Sequence, residues 1–515
     1  MLVHKFSASL IVIPLILSAF THLWNAAGFP ELHPDESDYL RKSIHYLKGL
    51  GPQETSNDPI AYRNYPYTHP YFGQLFLAGL LGAVGYPNSL HPTPDVQSIE
   101  MLHLVPRVIM GILAVVDTFL IYKISERRYN KNVALIASVL FAVMPMTWIL
   151  RRIYLDTLLM PLLLSSILFA IYIRRPKNNN VQQWPRININ KNLLVLLSGI
   201  FLGLAIYTKI PAFTMIPVVG YLVVSNSNSN RKKTLALWLI PVILIPLLWP
   251  AYAFSIGEID LWLKSVMFQQ GRASAGTGTN LSAAFKDLFK IDPTIIILGC
   301  ASLGFVGLRR DIWLLLWIIP LLLFSFYLGW VHYFHLIAIF PAFCISIGVT
   351  IDYMLNKMKN MTKKTAIIAA SVLVLFGFVS TVTLITLNTN SVHYYAQASV
   401  IKEISQRNNS ENNETSGVTL VGHRMYYWIP RYIFDLEFFV LPNRVPLNYV
   451  PENMVLVSND GMCCCQCDYY EELYVATTPK YEFANDVKYN NESQYPFSSL
   501  QLETNLGKKV EIRTK

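Results

Sequence analysis

Charge is what this chain has least of. Only 14% of its 515 residues are Asp, Glu, Lys or Arg, against 53% hydrophobic, and the mean hydropathy is +0.36. That balance excludes an ordinary soluble protein of this length and points to a polytopic α-helical membrane protein. Cysteine is scarce as well. Six cysteines are too few for a disulfide scaffold, and four of them crowd into Cys463-Cys464-Cys465-Gln466-Cys467. Thiolates that close together cannot readily wrap one tetrahedral zinc, so disulfides are the expected fate of this cluster outside the membrane. Cys300 and Cys344 lie in apolar runs and are expected in the core. No small-x-small cleavage site follows the first apolar run, which is therefore read as an anchor. Nor is there an internal repeat of the kind transporters usually show. The net charge of +10 does not signal nucleic acid, because the bases cluster between hydrophobic runs in the positive-inside pattern.

A span needs roughly 20 apolar residues. Runs of about that length, or somewhat shorter, fall at 5–27, 104–122, 132–150, 157–173, 192–208, 211–224, 234–255, 293–307, 312–328, 333–352 and 365–387. A further run, 70–86, is short and carries four glycines, and is read as a helix at the outer surface. Leaving it out of the count puts almost every short basic loop on one side. The N-terminus is then cytoplasmic, and the loops 28–104 and 256–292 and the tail 388–515 lie outside. Two domains are expected: a transmembrane unit over 1–387 with its first outer loop at 28–104, and a small α/β or β-rich extracytoplasmic domain over 388–515. Asn-x-Ser/Thr sequons at Asn280, Asn408, Asn413 and Asn491 all fall in segments placed outside. The composition suits the plasma membrane of an archaeon or bacterium.

The chain is organised around Leu32-His33-Pro34-Asp35-Glu36-Ser37-Asp38-Tyr39, where it first leaves the membrane. Asp38 stands about one helical turn from Asp35 and can share its face. The motif reads either as an acid/base or metal site, or as an acidic helix start capped by Asp35. The topology gathers other unusual residues at the same depth: His69, Arg151, Arg152, Asp156, Lys209, Arg272, His332 and His335. Lys209 is the most telling, since a membrane-buried lysine costs about 2.5–3.5 kcal/mol on insertion scales. Snorkelling to the interface is the alternative for it, and structural roles are the alternative for the histidines. Asp117, inside a span, is expected to hydrogen-bond a neighbouring helix. His423, Arg424 and the aromatics from Tyr426 to Trp428 read either as an acceptor-glycan surface or as core. Taken as a set, carboxylates and cations at one face suit a substrate with a greasy tail and an anionic leaving group, such as a polyprenyl-phosphate sugar. The cations would hold the phosphate and a carboxylate would accept the proton of the attacking hydroxyl.

These residues also resemble a known family. His33-Pro34-Asp35-Glu36 resembles the acidic first-loop motif of GT-C membrane glycosyltransferases, in the manner of protein O-mannosyltransferases and the lipid A aminoarabinose transferase. Tyr67-Thr68-His69-Pro70-Tyr71 resembles their aromatic-x-(Lys/His)-Pro element, and Arg107 matches a basic residue opening the next span. Arg152-Ile153-Tyr154-Leu155-Asp156 resembles the second acidic element. Gly203 to Pro211 resembles the Gly-Leu-x-x-x-(Thr/Ser)-Lys-x-Pro stretch, and His332-Tyr333-Phe334 through Pro341 a late basic-aromatic element. The resemblance implies a GT-C fold and an inverting transfer from a polyprenyl-phosphate donor to a protein, glycan or lipid acceptor. It implies Asp35 as base, with Glu36 and Asp156 as supporting acids or metal ligands. Lys209, Arg272, His332 and His335 would contact the donor phosphate. Asp38, His69, Arg107, Arg152 and Tyr154 would contact acceptor or substrate. No cofactor is named by the sequence, though the acids leave room for a divalent metal. Thr68 departs from the acidic residue of the aminoarabinose transferase, and the tail lacks the Trp-Trp-Asp-type motif of oligosaccharyltransferases. A transporter or flippase for a polar lipid is the competing class.

Overall fold

The computed structural model describes residues 10–52, 66–174, 190–227, 230–271, 280–329, 331–410, 417–440, 451, 453–459, 473–484 and 509–515. Arg272 and the cysteines from Cys463 to Cys467 lie outside the described residues, as do the sequons at Asn413 and Asn491. The first described helix is α1 (Val12–Leu23). Two helices follow, α2 (Pro34–Leu47) and α3 (Phe72–Ala83). Then come α4 (Val96–Arg128), α5 (Lys131–Val143) with a 3-10 turn over Pro145–Arg151, and α6 (Leu155–Tyr172). After α7 (Lys191–Thr208), a 3-10 turn over Ile210–Met215 leads into α8 (Ile216–Ser225), and α9 (Arg231–Ser255) returns. The segment read as the loop 256–292 holds two helices, α10 (Ile259–Gly271) and α11 (Leu281–Ile291). The bundle closes with α12 (Pro293–Leu308), α13 (Trp313–Leu328), a 3-10 turn over Tyr333–Ile339 leading into α14 (Phe340–Lys357), and α15 (Asn360–Ile385).

Among the described residues, each apolar run counted in the sequence overlaps one of these helices, or a helix and its adjoining turn. By length and composition, six described helices can cross a membrane, or eight if each of two bent pairs is one span. Val12–Leu23, Ile210–Ser225 and Trp313–Leu328 are shorter apolar helices. Helix α3 has only 12 residues, too few to span. Side-chain caps mark where several helices begin. Asn130, Asn190, Asn230, Asn280 and Asp292 each accept a backbone N–H from the first turn that follows.

Close approach in the bundle depends on small residues. Gly199 and Gly203 sit one turn apart on α7, where a Cβ would come within 2.5 Å of the Trp238 carbonyl and 2.6 Å of the Pro241 carbonyl on α9. Ser166 and Ser198 bond reciprocally to each other's carbonyls between α6 and α7, at 2.7 and 2.9 Å. Two residues depart from expectation. Cys344 is buried, but Cys300 is exposed, because it lies beside the stripe of Ile295, Gly299, Ser302 and Val306 that α12 turns inward. Asp117 is fully buried, yet neither carboxyl oxygen has a hydrogen-bond partner among the described residues. The interhelical bond at this level comes instead from Thr118, whose hydroxyl donates to Ser18 at 2.8 Å.

The tail begins with α16 (Ser391–Ser410) and carries a five-stranded sheet with a short helix, α17 (Trp428–Tyr432). The strands are β1 (Thr419–Val421), β2 (Phe439–Val440), β3 (Met454–Asn459), β4 (Thr478–Ala484) and β5 (Lys509–Thr514), in the order β2-β1-β3-β5-β4. β1 runs parallel to β2 and β3, and β5 pairs antiparallel with β3 and β4. Tyr426 and Trp428 are fully buried, which places those aromatics in the core rather than on a glycan surface. The apolar core continues from Leu102 in α4 through Tyr394 in α16 to Trp428.

Candidate active site

Helix α2 begins at the motif. Its cap is His33, not Asp35: the His33 ring accepts from the Asp35 N–H, and Glu36 reaches back to the His33 N–H at 3.0 Å. Pro34 occupies the first turn, where its missing N–H costs nothing. The reciprocal cap fixes two adjacent carboxylates differently. Glu36 turns inward and is 1% exposed. It forms a two-point pair with Arg107 of α4, at 3.0 and 2.7 Å, and accepts the Ile153 N–H at 3.2 Å. Arg107 in turn donates to the carbonyls of Ala26 and Pro30. Burial alone would raise the Glu36 carboxyl, but the charge and hydrogen bonds of Arg107 and the charge of Arg152 hold it below the ordinary carboxylate range. Asp35 stays outside this pair, 29% exposed, with an oxygen 3.8 Å from the His33 ring nitrogen.

Beside Asp35 lies a group drawn from three distant parts of the chain. Asp156, in the first turn of α6, is 2.6 Å from the Lys209 ammonium, which sits where α7 breaks before Pro211. Lys209 also lies 5.8 Å from the centre of the Phe334 ring. Phe334, in the turn before α14, is the hub. Its ring centre is 4.8 Å from Tyr154, 5.8 Å from His33, 5.3 Å from His332 and 4.5 Å from His335. Arg152 donates to the hydroxyls of Tyr154 and Tyr333 at 3.1 and 3.2 Å and to the Glu31 carbonyl at 3.0 Å. The charge of Asp35 bears on both Tyr154 and Asp156.

The fold therefore brings together Asp35, Glu36, Arg107, Arg152, Tyr154, Asp156, Lys209, His332 and His335. Asp38 stands further along α2, 3.9 Å from Arg41, and His69, just before α3, has its ring 6.1 Å from that of Tyr39 on α2. Sequence reasoning did not single out Phe334, Tyr333 or His33 as site residues, although all three stood inside motifs it quoted. It also missed Glu31. Burial raises the Glu31 carboxyl well above its ordinary range, and its oxygen meets the His393 ring at 3.1 Å. Among the described residues, no group of three or more His, Cys, Asp or Glu is arranged to hold a metal ion.

This arrangement supplies a half-exposed carboxylate, a buried ammonium–carboxylate pair, a guanidinium and two histidines around one aromatic floor. Residues 101–251 match the family model described as dolichyl-phosphate-mannose-protein mannosyltransferase. With that sequence match and this fold, the chain is a polytopic membrane glycosyltransferase of the GT-C type. ArnT from Cupriavidus metallidurans, solved with undecaprenyl phosphate, is similar at a TM-score of 0.58 and 11% identity, over 99% of this chain and 98% of that one. The oligosaccharyltransferase of Archaeoglobus fulgidus, tethered to an acceptor peptide, is similar at a TM-score of 0.58 and 12% identity, over 93% of this chain and 73% of that one. The archaeal oligosaccharyltransferase AglB from Archaeoglobus fulgidus, with an inhibitory peptide and a dolichol-phosphate, gives 0.53 at 12% identity, over 94% of this chain and 75% of that one. No curated protein matches the sequence.

Proposed function

We propose that this enzyme moves a sugar from a polyprenyl-phosphate donor to a hydroxyl of a protein, glycan or lipid acceptor at the outer membrane face, inverting the anomeric centre. The observation that carries this reading is the half-exposed Asp35 beside the buried Lys209–Asp156 pair and the His332–His335 rings. Asp35 accepts the proton of the attacking hydroxyl as that oxygen bonds to the anomeric carbon. The bond from that carbon to the phosphate oxygen breaks, and the electron pair leaves on the phosphate. Lys209, His332 and His335 stabilise the charge that develops there, with Arg272 a further proposed contact. Asp156 orients Lys209. Arg152 and Tyr154 border the acceptor side, with Asp38 on α2 and His69 before α3 further out. Glu36 and Arg107 act by holding the motif in place, a structural role that their mutual pairing favours over direct chemistry. Two structures of similar fold were solved with polyprenyl-type phosphates, which supports this donor class.

The basic loops support a cytoplasmic N-terminus, with the site and the domain over 388–515 outside, and the composition suits a prokaryotic plasma membrane. The test is transfer of labelled sugar from membrane polyprenyl-phosphate donors, comparing wild type with Asp35→Asn at equal expression. A loss of about 10²–10⁴-fold is expected for a removed general base. Equal transfer by both would remove Asp35 from the chemistry. No transfer from any donor, together with lipid flipping by the wild type, would favour the transporter class.

A further inference from the structure

The end of the bundle opposite the site carries a feature that transfer chemistry leaves unused. Helix α7 runs from Lys191 to Thr208, beside the site residue Lys209, so Lys191 marks the opposite end. Helix α9 starts at that same end with Arg231, and beyond its last residue, Ser255, Glu258 accepts from Tyr67 at 2.8 Å on the site's side. Between α8 and α9 lies an open groove of about 680 Å³, lined by Gly220, Val224, Leu235 and Trp238, with Tyr221 and Arg231 also on its wall. That is ligand-sized.

Its charge is lopsided. Arg231, Lys232 and Lys233 fill the first turn of α9, and no acid shares that turn. Cations at a helix N-terminus oppose the helix dipole. Lys191 joins them, donating to Ser227 at 3.2 Å, while Ser227 meets Thr234 of α9 at 3.1 Å. None of the four cations forms an ion pair with an Asp or Glu among the described residues. An apolar groove ending in uncompensated cations at a membrane face fits an amphiphile with an anionic head.

We propose that this groove binds one anionic glycerophospholipid, with its phosphate at Arg231, Lys232 and Lys233 and an acyl chain along Gly220, Leu235 and Trp238. A zwitterionic lipid would fill the apolar wall but leave the cations uncompensated. A polyprenyl-phosphate donor held here would have its phosphate at the wrong end of α7 to reach Lys209.

The test is native mass spectrometry of the purified full chain after titration with phosphatidylglycerol, phosphatidylcholine or undecaprenyl phosphate. Phosphatidylglycerol should be retained about tenfold over phosphatidylcholine, since each basic residue near an anionic head adds appreciable attraction. The pair Arg231→Gln and Lys232→Gln should erase that preference. Gly220→Leu, which fills the groove, should abolish the adduct, and Leu235→Trp serves as a second filling variant should the first fail to fold. Equal retention of the two phospholipids overturns the proposal, as does a well-folded filled variant that still holds phosphatidylglycerol. Preferential displacement by undecaprenyl phosphate overturns it in favour of a polyprenyl ligand.

Discussion

Lys209 and Asp156 are both more than nine-tenths covered, and each neutralises the other at 2.6 Å. Removing one leaves a buried charge, at a cost of about 3–5 kcal/mol. Lys209→Met and Asp156→Asn should therefore each lower the melting temperature in detergent. The double variant should recover most of that stability while transfer stays lost. A double variant no more stable than the worse single one would deny the coupling. Glu36 offers the matching test for the motif. Its carboxyl is depressed in the folded state, so the stability it adds is present above its unfolded value of 4.5 and is lost as pH falls through the lower folded value. The stability advantage of wild type over Glu36→Gln should thus be full near neutral pH and shrink in thermal melts below about pH 4.5. An advantage independent of pH would mean that Glu36 is not ionised in its pair. At this scale the sequence was informative about which residues are unusual and uninformative about their partners. A lone lysine in an apolar run and a pair of adjacent acids stand out by local cost alone. That Arg107 takes Glu36 and leaves Asp35 at the surface depends on contacts between distant segments, which no local pattern encodes.

Helix α3 shows how an element sets a site without contributing a reactive group. It lies against the start of α6 and the end of α7 through Gly73. A Cβ there would come within 2.6 Å of Leu155 Cδ2 and 2.8 Å of Thr208 Cγ2. Leu155 and Thr208 directly precede Asp156 and Lys209. A larger side chain at position 73 would press on both halves of the ion pair at once. Gly73→Val is expected to cost about 1–3 kcal/mol in stability, the usual range for overpacking. Its transfer rate should fall further than that of Gly79→Val, because a Cβ at Gly79 meets nothing within 4 Å. Equal rates for the two would detach α3 from the site. The short glycine-bearing run that became α3 was legible because it was too short to span. Helices α10 and α11 were not legible, since neither has a long apolar run. The inward stripe of α11, Ala284, Leu288 and Ile291, is only three residues. It turns by 114° into α12 at Asp292, a break that span counting passes over.

For the whole molecule, the question is what the C-terminal tail does for the bundle. The motif hangs on a stretch, residues 26–32, that has little regular structure of its own. The tail grips it. The Asn390 side chain accepts from the Leu32 N–H at 2.7 Å and donates to the carbonyls of Ala27 and Pro30 at 2.6 and 2.8 Å. Thr389 bonds to Gly28 through both its backbone and its hydroxyl, and the Tyr394 hydroxyl donates to Ala27. His393 meets Glu31 on one side of its ring and Tyr426 on the other, and burial lowers it to about 4, so it is neutral at physiological pH. The sequence showed a tail of domain size with α/β or β-rich character. It could not show this clasp, because Asn, Thr and His near a helix start look like ordinary caps. The tail is thereby tied to the segment that aims Asp35, and the tie can be cut at one residue. Asn390→Ala removes three buried hydrogen bonds, worth at least about 2 kcal/mol together. Amide exchange should then rise across residues 26–36 while the spans stay protected. The transfer rate should fall with little change in donor affinity, because Lys209, His332 and His335 are anchored elsewhere. Unchanged exchange in that stretch would show that Arg107 and Arg152 hold the motif without the tail. Faster exchange throughout the bundle would make Asn390 a general stabiliser rather than a clasp on the motif.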